Sequence, residues 1–346
     1  MSGHLRQKQR PQILPIMSPR AIAILMQSLL LVFWLQPASA ATVRLENGDR
    51  YIGEVVDGKI SGLGRYEWAG GDVYEGDFLA DKPHGSGTYY WTDGRIYKGQ
   101  FIDGYRQGQG VLSWPNGDTY EGVFNTNELH GSGVFSWANG DRFSGQFVRG
   151  ERTGEGQFFW SGGASYRGGF LANNLHGEGE YRYRDGRVYQ GQFVMGIRSG
   201  YGQMLWPNGN RYVGDFDADQ QSGLGRFYWR DGTLYRGQFR ANLQHGWGIK
   251  EQPDGQMLVQ RWQSGVLRDS NPLVAKSNCA LRYLQRNWMF NATTCVDGLA
   301  HGVGPAISLD GSMVIPEGYF VIGRYVSGEA LQLPAADTTG TQDSGR

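Results

Sequence analysis

An aromatic residue returns every 23 residues through most of this chain. Tyr51, Tyr74, Tyr97, Tyr120, Phe143, Tyr166, Tyr189, Tyr212 and Tyr235 follow one another without an insertion. So strict a period means a stack of like units, none of which buries a core alone. With the aromatic as position one, Gly holds positions three, twelve, fourteen and twenty-one in every copy, as in Gly76, Gly85, Gly87 and Gly94. Position five is Val55 and then Phe, from Phe78 to Phe239. Position eighteen is Trp68, Trp91, Trp114, Trp137, Trp160, Trp206 or Trp229, with Tyr183 and Gln252 as exceptions. A tenth register opens at Leu258 and fades after Trp262.

Side chains alternate along a strand. Positions one, three and five therefore share one face, as do fourteen, sixteen and eighteen, while polar residues such as Glu75 and Asp77 take the other. A two-residue turn at "PNG" or "TDG" would send the Trp and the next Tyr to opposite faces. A three-residue loop ending in a left-handed Gly keeps them together, and Pro115, Pro207 and Pro253 suit its first position. Gly, Asn or Asp at position eight (Gly58, Asp81, Gly104, Asn127) predicts a second left-handed turn. The fold class predicted is all-β: an elongated single-sheet meander of antiparallel hairpins. The seven tryptophans are expected in its core.

The chain has 55 Gly in 346 residues, a share that in other company would suggest disorder, but its 11 Trp, 19 Tyr and 16 Phe supply apolar surface to bury. Gly at three and fourteen leaves room for neighbouring rings. A phosphate-cradling role fails, because each Gly-x-Gly leads into a strand and not into a helix N-terminus. A formal net charge of zero argues against a nucleic-acid partner.

The pattern Tyr-x-Gly-x-Phe, His-Gly-x-Gly, Trp-x-Asp-Gly resembles the MORN (membrane occupation and recognition nexus) repeat, over residues 43 to about 265. The resemblance implies an elongated meander of hairpins. It also implies binding, tethering or membrane-apposition roles without catalysis or cofactor. The enzyme domain that often accompanies such repeats is not visible here.

Residues 1–40 read as an export signal, with Arg6, Lys8, Arg10 and Arg20, no acidic residue, the apolar run Ala21–Leu35 and a small-residue site ending at Ala40. Cleavage after Ala40 is expected, with Met1 or Met17 as start; an uncleaved anchor at 21–35 is the alternative, although the run is short for a bilayer span. In an oxidising compartment Cys279 and Cys295 would pair. Residues 41–265 form the repeat array. Residues 266–333, where "HGVG" (301–304) and "VIGRYVSGE" (321–329) echo the repeat, are expected to form a degenerate cap over its open end. Residues 334–346 are expected to be a disordered tail. The stretch "SNCALRYLQRNWMF" (277–290) fits helix or strand, and "NAT" at Asn291 is a glycosylation sequon in a eukaryotic source.

The histidines outside the leader all stand in the His-Gly-x-Gly motif: His84, His130, His176, His245 and His301. Two repeats separate the first three, about 19 Å at the usual strand spacing, too far to share a metal. "GYRQG", "GERTG" and "GIRSG" alternate with the His loops, so His84, Arg106, His130, Arg152, His176 and Arg198 recur with a 46-residue unit. Two readings are open. The loops merely accept two turn types, or they present a regular basic edge, continued at His245, to an anionic polymer or headgroup. Glu75 and Asp77 resemble a glycosidase pair but lack a pocket. The outward aromatics Tyr90, Phe159 and Tyr228 would suit a glycan. The expectation is an exported, non-enzymatic binding or scaffolding protein of the cell envelope, periplasmic or secreted, with an unrecognised hydrolase as the remote alternative. Its partner would be an envelope protein, an anionic lipid or a glycan, and self-association is left open.

Overall fold

The computed structural model describes residues 41–272 and, beyond them, 281–284, 286–290, 295–296, 299–300, 302–308, 313–321 and 324–332. The leader, Cys279, Asn291, His301 and the tail lie outside the described residues. Neither cleavage after Ala40 nor a Cys279–Cys295 bridge is therefore tested by it.

From Ala41 to Pro272 the chain is one open antiparallel sheet of 21 strands, each paired with its neighbours in sequence. No helix occurs among the described residues. Each repeat contributes a seven-residue and a nine-residue strand, for example Thr119–Asn125 and Glu128–Ser136. The three-residue loop forms as the sequence predicts. Phe135 faces Phe143 across the next strand pair, the Trp137 amide donates to the carbonyl of Asp141 at 2.9 Å, and Gly140 takes φ 92°. At the other end Thr126 and Asn127 both adopt positive φ, 47° and 70°. This is a two-residue type I′ turn, which matches the twist of a hairpin. Position seven is thus left-handed too, although its residues (Ala80, Thr126, Met195) give no sign of it in the sequence.

The core lies within a single layer. The tyrosine at position one is 0–1% exposed in all eight copies that carry it. It lies over the paired glycines three and fourteen of its own hairpin, such as Gly122 and Gly133. Two Phe rings meet it edge-on. For Tyr120 these are Phe124 at 5.2 Å and Phe147 of the next repeat at 5.1 Å. Its hydroxyl donates to the carbonyl of Val123 at 3.0 Å, so the buried polar tip is satisfied. Each repeat therefore completes its core with a ring from the next.

The tryptophans need a correction. They are half-buried and pack against the edge of this core; the buried positions are one and, from Phe78 to Phe239, five. At position eighteen the ring is held by the sheet on one side only.

Position twenty-two explains where proline enters the loops. Asp49, Asp72, Asp118 and Asp141 each accept the first loop amide of the next repeat, from Ala69, Thr92, Ala138 and Ser161, at 2.7–2.9 Å. That bond holds the Asp141 carboxyl below the ordinary carboxylate range. Where Arg95 and Arg187 replace the carboxylate, Pro115 and Pro207 stand at the amide's place, and a proline has no N–H to satisfy. Asp118→Ala should accordingly cost about 1 kcal/mol, the worth of one such bond. Ala138→Pro in the same chain should restore most of it. Urea unfolding of the single and double variants checks this; equal losses in both would contradict it.

The array continues past its expected boundary at 265, because Val266–Pro272 completes a hairpin with Met257–Gln263. Beyond it, strands including Arg286–Phe290, Gly302–Ser308 and Met313–Val321 form a separate six-stranded sheet around Trp288, Ala306, Ile315 and Phe320. The described part of 277–290 is a hairpin, Leu281–Tyr283 paired with Arg286–Phe290. Gly304 opposite Gly318, and Tyr325 donating to the carbonyl of Gly328, repeat local devices of the array. This second sheet resembles the repeats in its hairpins, but it is not a continuation of their sheet.

Candidate functional site

The expected edge of alternating His and Arg is not one edge. The arginines stand one residue earlier in the repeat than the histidines, at position ten, directly opposite the core Phe of position five: Arg106 faces Phe101, Arg152 faces Phe147 and Arg198 faces Phe193. Their side chains therefore turn onto the ring-bearing face. The Arg106 guanidinium carbon lies 5.3, 5.6 and 5.5 Å from the rings of Trp91, Tyr97 and Phe124. Its Nη2 donates to the carbonyl of Asn127 at 2.7 Å, and burial pushes its pKa down, as it does for Arg152. Arg198 repeats the arrangement with Asp219, through Nε to Oδ1 at 2.9 Å and Nη2 to the carbonyl at 2.6 Å. The 46-residue alternation is thus a packing device. Arg at ten alternates with Leu129 and Leu175, and Asn or Asp at position eight of the following repeat secures each Arg.

The histidines serve the turns. Nδ1 of His84 and of His245 accepts the position-seven amide of the next repeat, from Asp103 at 3.5 Å and Ser264 at 3.2 Å. Gln107 does the same for Thr126 at 2.9 Å. His130 accepts a tyrosine hydroxyl at its backbone carbonyl, 3.4 Å away, whereas Nδ1 of His176 is buried without a hydrogen-bond partner among the described residues. Of the two readings of these loops, the geometry at His84 and His245 favours the turn, with the imidazole bonding the next hairpin's backbone.

The carboxylates are occupied in the same way. Asp77 accepts the amide of Ser86 at 2.9 Å, where a bulge interrupts the ladder, and Glu75 pairs with Arg65. No group of three His, Cys, Asp or Glu side chains among the described residues gathers as a metal set. The outward rings divide. Tyr90 and Phe159 are 37% and 45% exposed, whereas Arg211 covers Tyr228 at 4.1 Å.

What remains available is a ladder that pattern reading missed. The rings of positions sixteen and eighteen stack along the sheet, across repeat boundaries. Phe135, Trp137, Phe158, Trp160, Tyr181 and Tyr183 follow one another at centroid spacings of 4.4–5.3 Å. Most rungs are half-exposed. Leu112 and Met204, at position sixteen, break the ladder into sections. The sequence signal was present, since position sixteen is Tyr or Phe in six of the nine copies, but the spacing of its partners depends on the loop.

The MORN-repeat family model matches nine consecutive segments, the first 51–73 and the last 235–257. The chain belongs to the MORN-repeat family. Repeats of this family are commonly binding or scaffolding modules. Among solved structures, the MORN chain is similar to the TCP10 domain of Danio rerio CPAP in complex with a STIL peptide, at 14% identity over 67% of this chain and 99% of that one, with TM-score 0.27. It is also similar to the SAS-4 TCP domain of Drosophila melanogaster (19%, 51% and 83%, TM-score 0.23) and to virginiamycin B lyase of Staphylococcus aureus (10%, 68% and 85%, TM-score 0.15). Scores this low carry no argument about function. No curated relative matches the MORN chain.

Proposed function

We propose that this MORN-repeat chain is an exported, non-catalytic binding module of the cell envelope, and that its partner lies along the ring ladder. One observation carries the reading. Asp77, Asp118 and His84, which a catalyst could have used, are bonded to the fold's own backbone, while the rings of Trp114, Trp137, Trp160 and Trp206 remain half-open on one face. Half-open, rigid aromatic side chains bind at low entropic cost. The basic, apolar and small-residue succession of residues 1–40 supports export.

The test is retention of the chain in the envelope fraction of cells that export it, with the intact mass of the exported form read alongside. The mass should begin at Ala41. Trp137→Ala/Trp160→Ala should lower retention about tenfold, as expected when central rings are removed from a binding face. His84→Ser/His130→Ser/His176→Ser should retain like the parent. Equal retention of all three proteins, or a mass that includes Met1 or Met17, would overturn the proposal.

A further inference from the structure

Where Met204 takes position sixteen, a ring is missing from the ladder between Tyr183 and Trp206. The Met204 side chain is 2% exposed. Above it opens a cleft of about 470 Å³, lined by Arg187, Arg198, Trp206, Asn208, Asp219 and Gln221 among others. That is the size of an ordinary small-ligand site. Trp206 contacts one ring, Phe227 at 5.5 Å, whereas Trp137 sits between Phe135 and Phe158. Its flank toward the cleft has no ring neighbour among the described residues.

The polar lining is planar throughout: two guanidiniums, a carboxylate and several amides. The arginines are fixed in place. Arg198 is clamped by Asp219 through Nε and Nη2, leaving Nη1 without a protein partner among the described residues. Arg187 bonds Asp185 through Nε at 2.8 Å and stacks on Tyr183 at 4.6 Å. Fixed guanidiniums with free ends suit a carboxylate. Flat amides suit adjacent hydroxyl pairs, and an indole face suits the C–H face of a pyranose. We infer that the Met204 cleft binds a sugar unit of an acidic polysaccharide, the ring on Trp206 and the carboxylate at Arg187 and Arg198. The inference rests on the reading of the chain as a binding module and names its ligand class.

Two internal comparisons support the cleft as a built feature. At Arg152 the same position-ten arginine lies against the ring of Phe158, 5.1 Å from the guanidinium, where Arg198 has Met204. Four repeats before Met204, Leu112 stands with Arg95, Arg106 and Trp114 at the corresponding positions, but Leu129 and Gly150 stand where Gln221 and Asn242 line the cleft.

The test uses the full mature chain in affinity electrophoresis through gels containing polygalacturonate or dextran. Polygalacturonate should retard the parent and dextran should not. Met204→Phe restores the rung that Phe135, Phe158 and Phe227 supply elsewhere, so it should lower apparent affinity at least about tenfold, or about 1.4 kcal/mol, with melting temperature unchanged or raised. Arg187→Gln, at a part-exposed side chain outside the buried core, should lower it by a similar factor. Retardation should be alike at about pH 7.5 and about pH 5.5, because arginine keeps its charge while free histidine gains one only below about pH 6.5. No retardation of the parent, equal retardation by dextran, or parental binding by Met204→Phe or Arg187→Gln would overturn the inference. Should envelope retention depend on Trp137 and Trp160 while polygalacturonate fails to bind, the polysaccharide falls and the binding-module reading stands.

Discussion

Gly133→Ala should destabilise the array by about 3 kcal/mol, the upper end for forcing one methyl into a packed core. A Cβ at Gly133 would stand 2.5 Å from Cε2 and 2.6 Å from Cζ of Tyr120. The ring has nowhere to go, since Phe124 and Phe147 hold its two sides edge-on. Across the strand pair a Cβ on Gly122 would meet the Cα of Gly133 at 2.6 Å, so the sheet cannot open locally to admit it. Repeat arrays couple mainly nearest neighbours, so the damage should centre on the repeats that begin at Tyr120 and Phe143. Urea unfolding with amide exchange resolved along the chain measures both. Ser132→Ala, one residue away, should be close to neutral. A loss under about 0.5 kcal/mol for Gly133→Ala, within the range of ordinary surface changes, would contradict this packing.

Alkali should unfold the array cooperatively, and earlier than its neutral stability suggests. Burial raises the position-one tyrosines. Tyr51, Tyr97, Tyr120 and Tyr166 are pushed up to about 12, with desolvation the leading cause, and Tyr74, Tyr189, Tyr212 and Tyr235 higher. In the unfolded chain a tyrosine ionises near 10. The sign follows from linkage. Below about pH 10 both states hold the proton and the stability is fully present. Between about 10 and about 12 only the unfolded state loses it, so stability falls as pH rises. Eight such groups act together. Tyrosinate absorbance and far-ultraviolet dichroism should change in one transition above about pH 10. Gradual tyrosinate formation with the sheet intact would show the rings to be accessible.

The fold was legible because period and parity are local properties. Gly at three and fourteen, the aromatic at one and the Pro-tolerant loop state both register and turn, and the structure has that register. The errors lie where one residue of offset matters. Arg106 and His84 look like members of one series, yet positions ten and eleven point to different places, and next to a bulge parity cannot be carried through. The tryptophans are the loudest signal in the sequence, but a single sheet has no second layer to cover position eighteen. The outer face of the last repeats was also missed. Val213, Ile249 and Val259 are buried there, whereas Val111, at the place of Ile249, is 39% exposed. Apolar residues at those outward positions were the available sign. Neither the Asp–Pro exchange at the loops nor the Met204 cleft follows from the repeat consensus, because both are departures from it.

Hydroxyl-radical footprinting of the chain, free and in its envelope fraction, tests most directly whether the ring ladder is the binding face. Trp114, Trp137, Trp160 and Trp206 should be oxidised in the free chain and protected in the fraction, while Tyr90 and Phe159 on the opposite face remain reactive in both. Protection of Tyr90 and Phe159 with the tryptophans unchanged would place the partner on the other face and contradict the proposal.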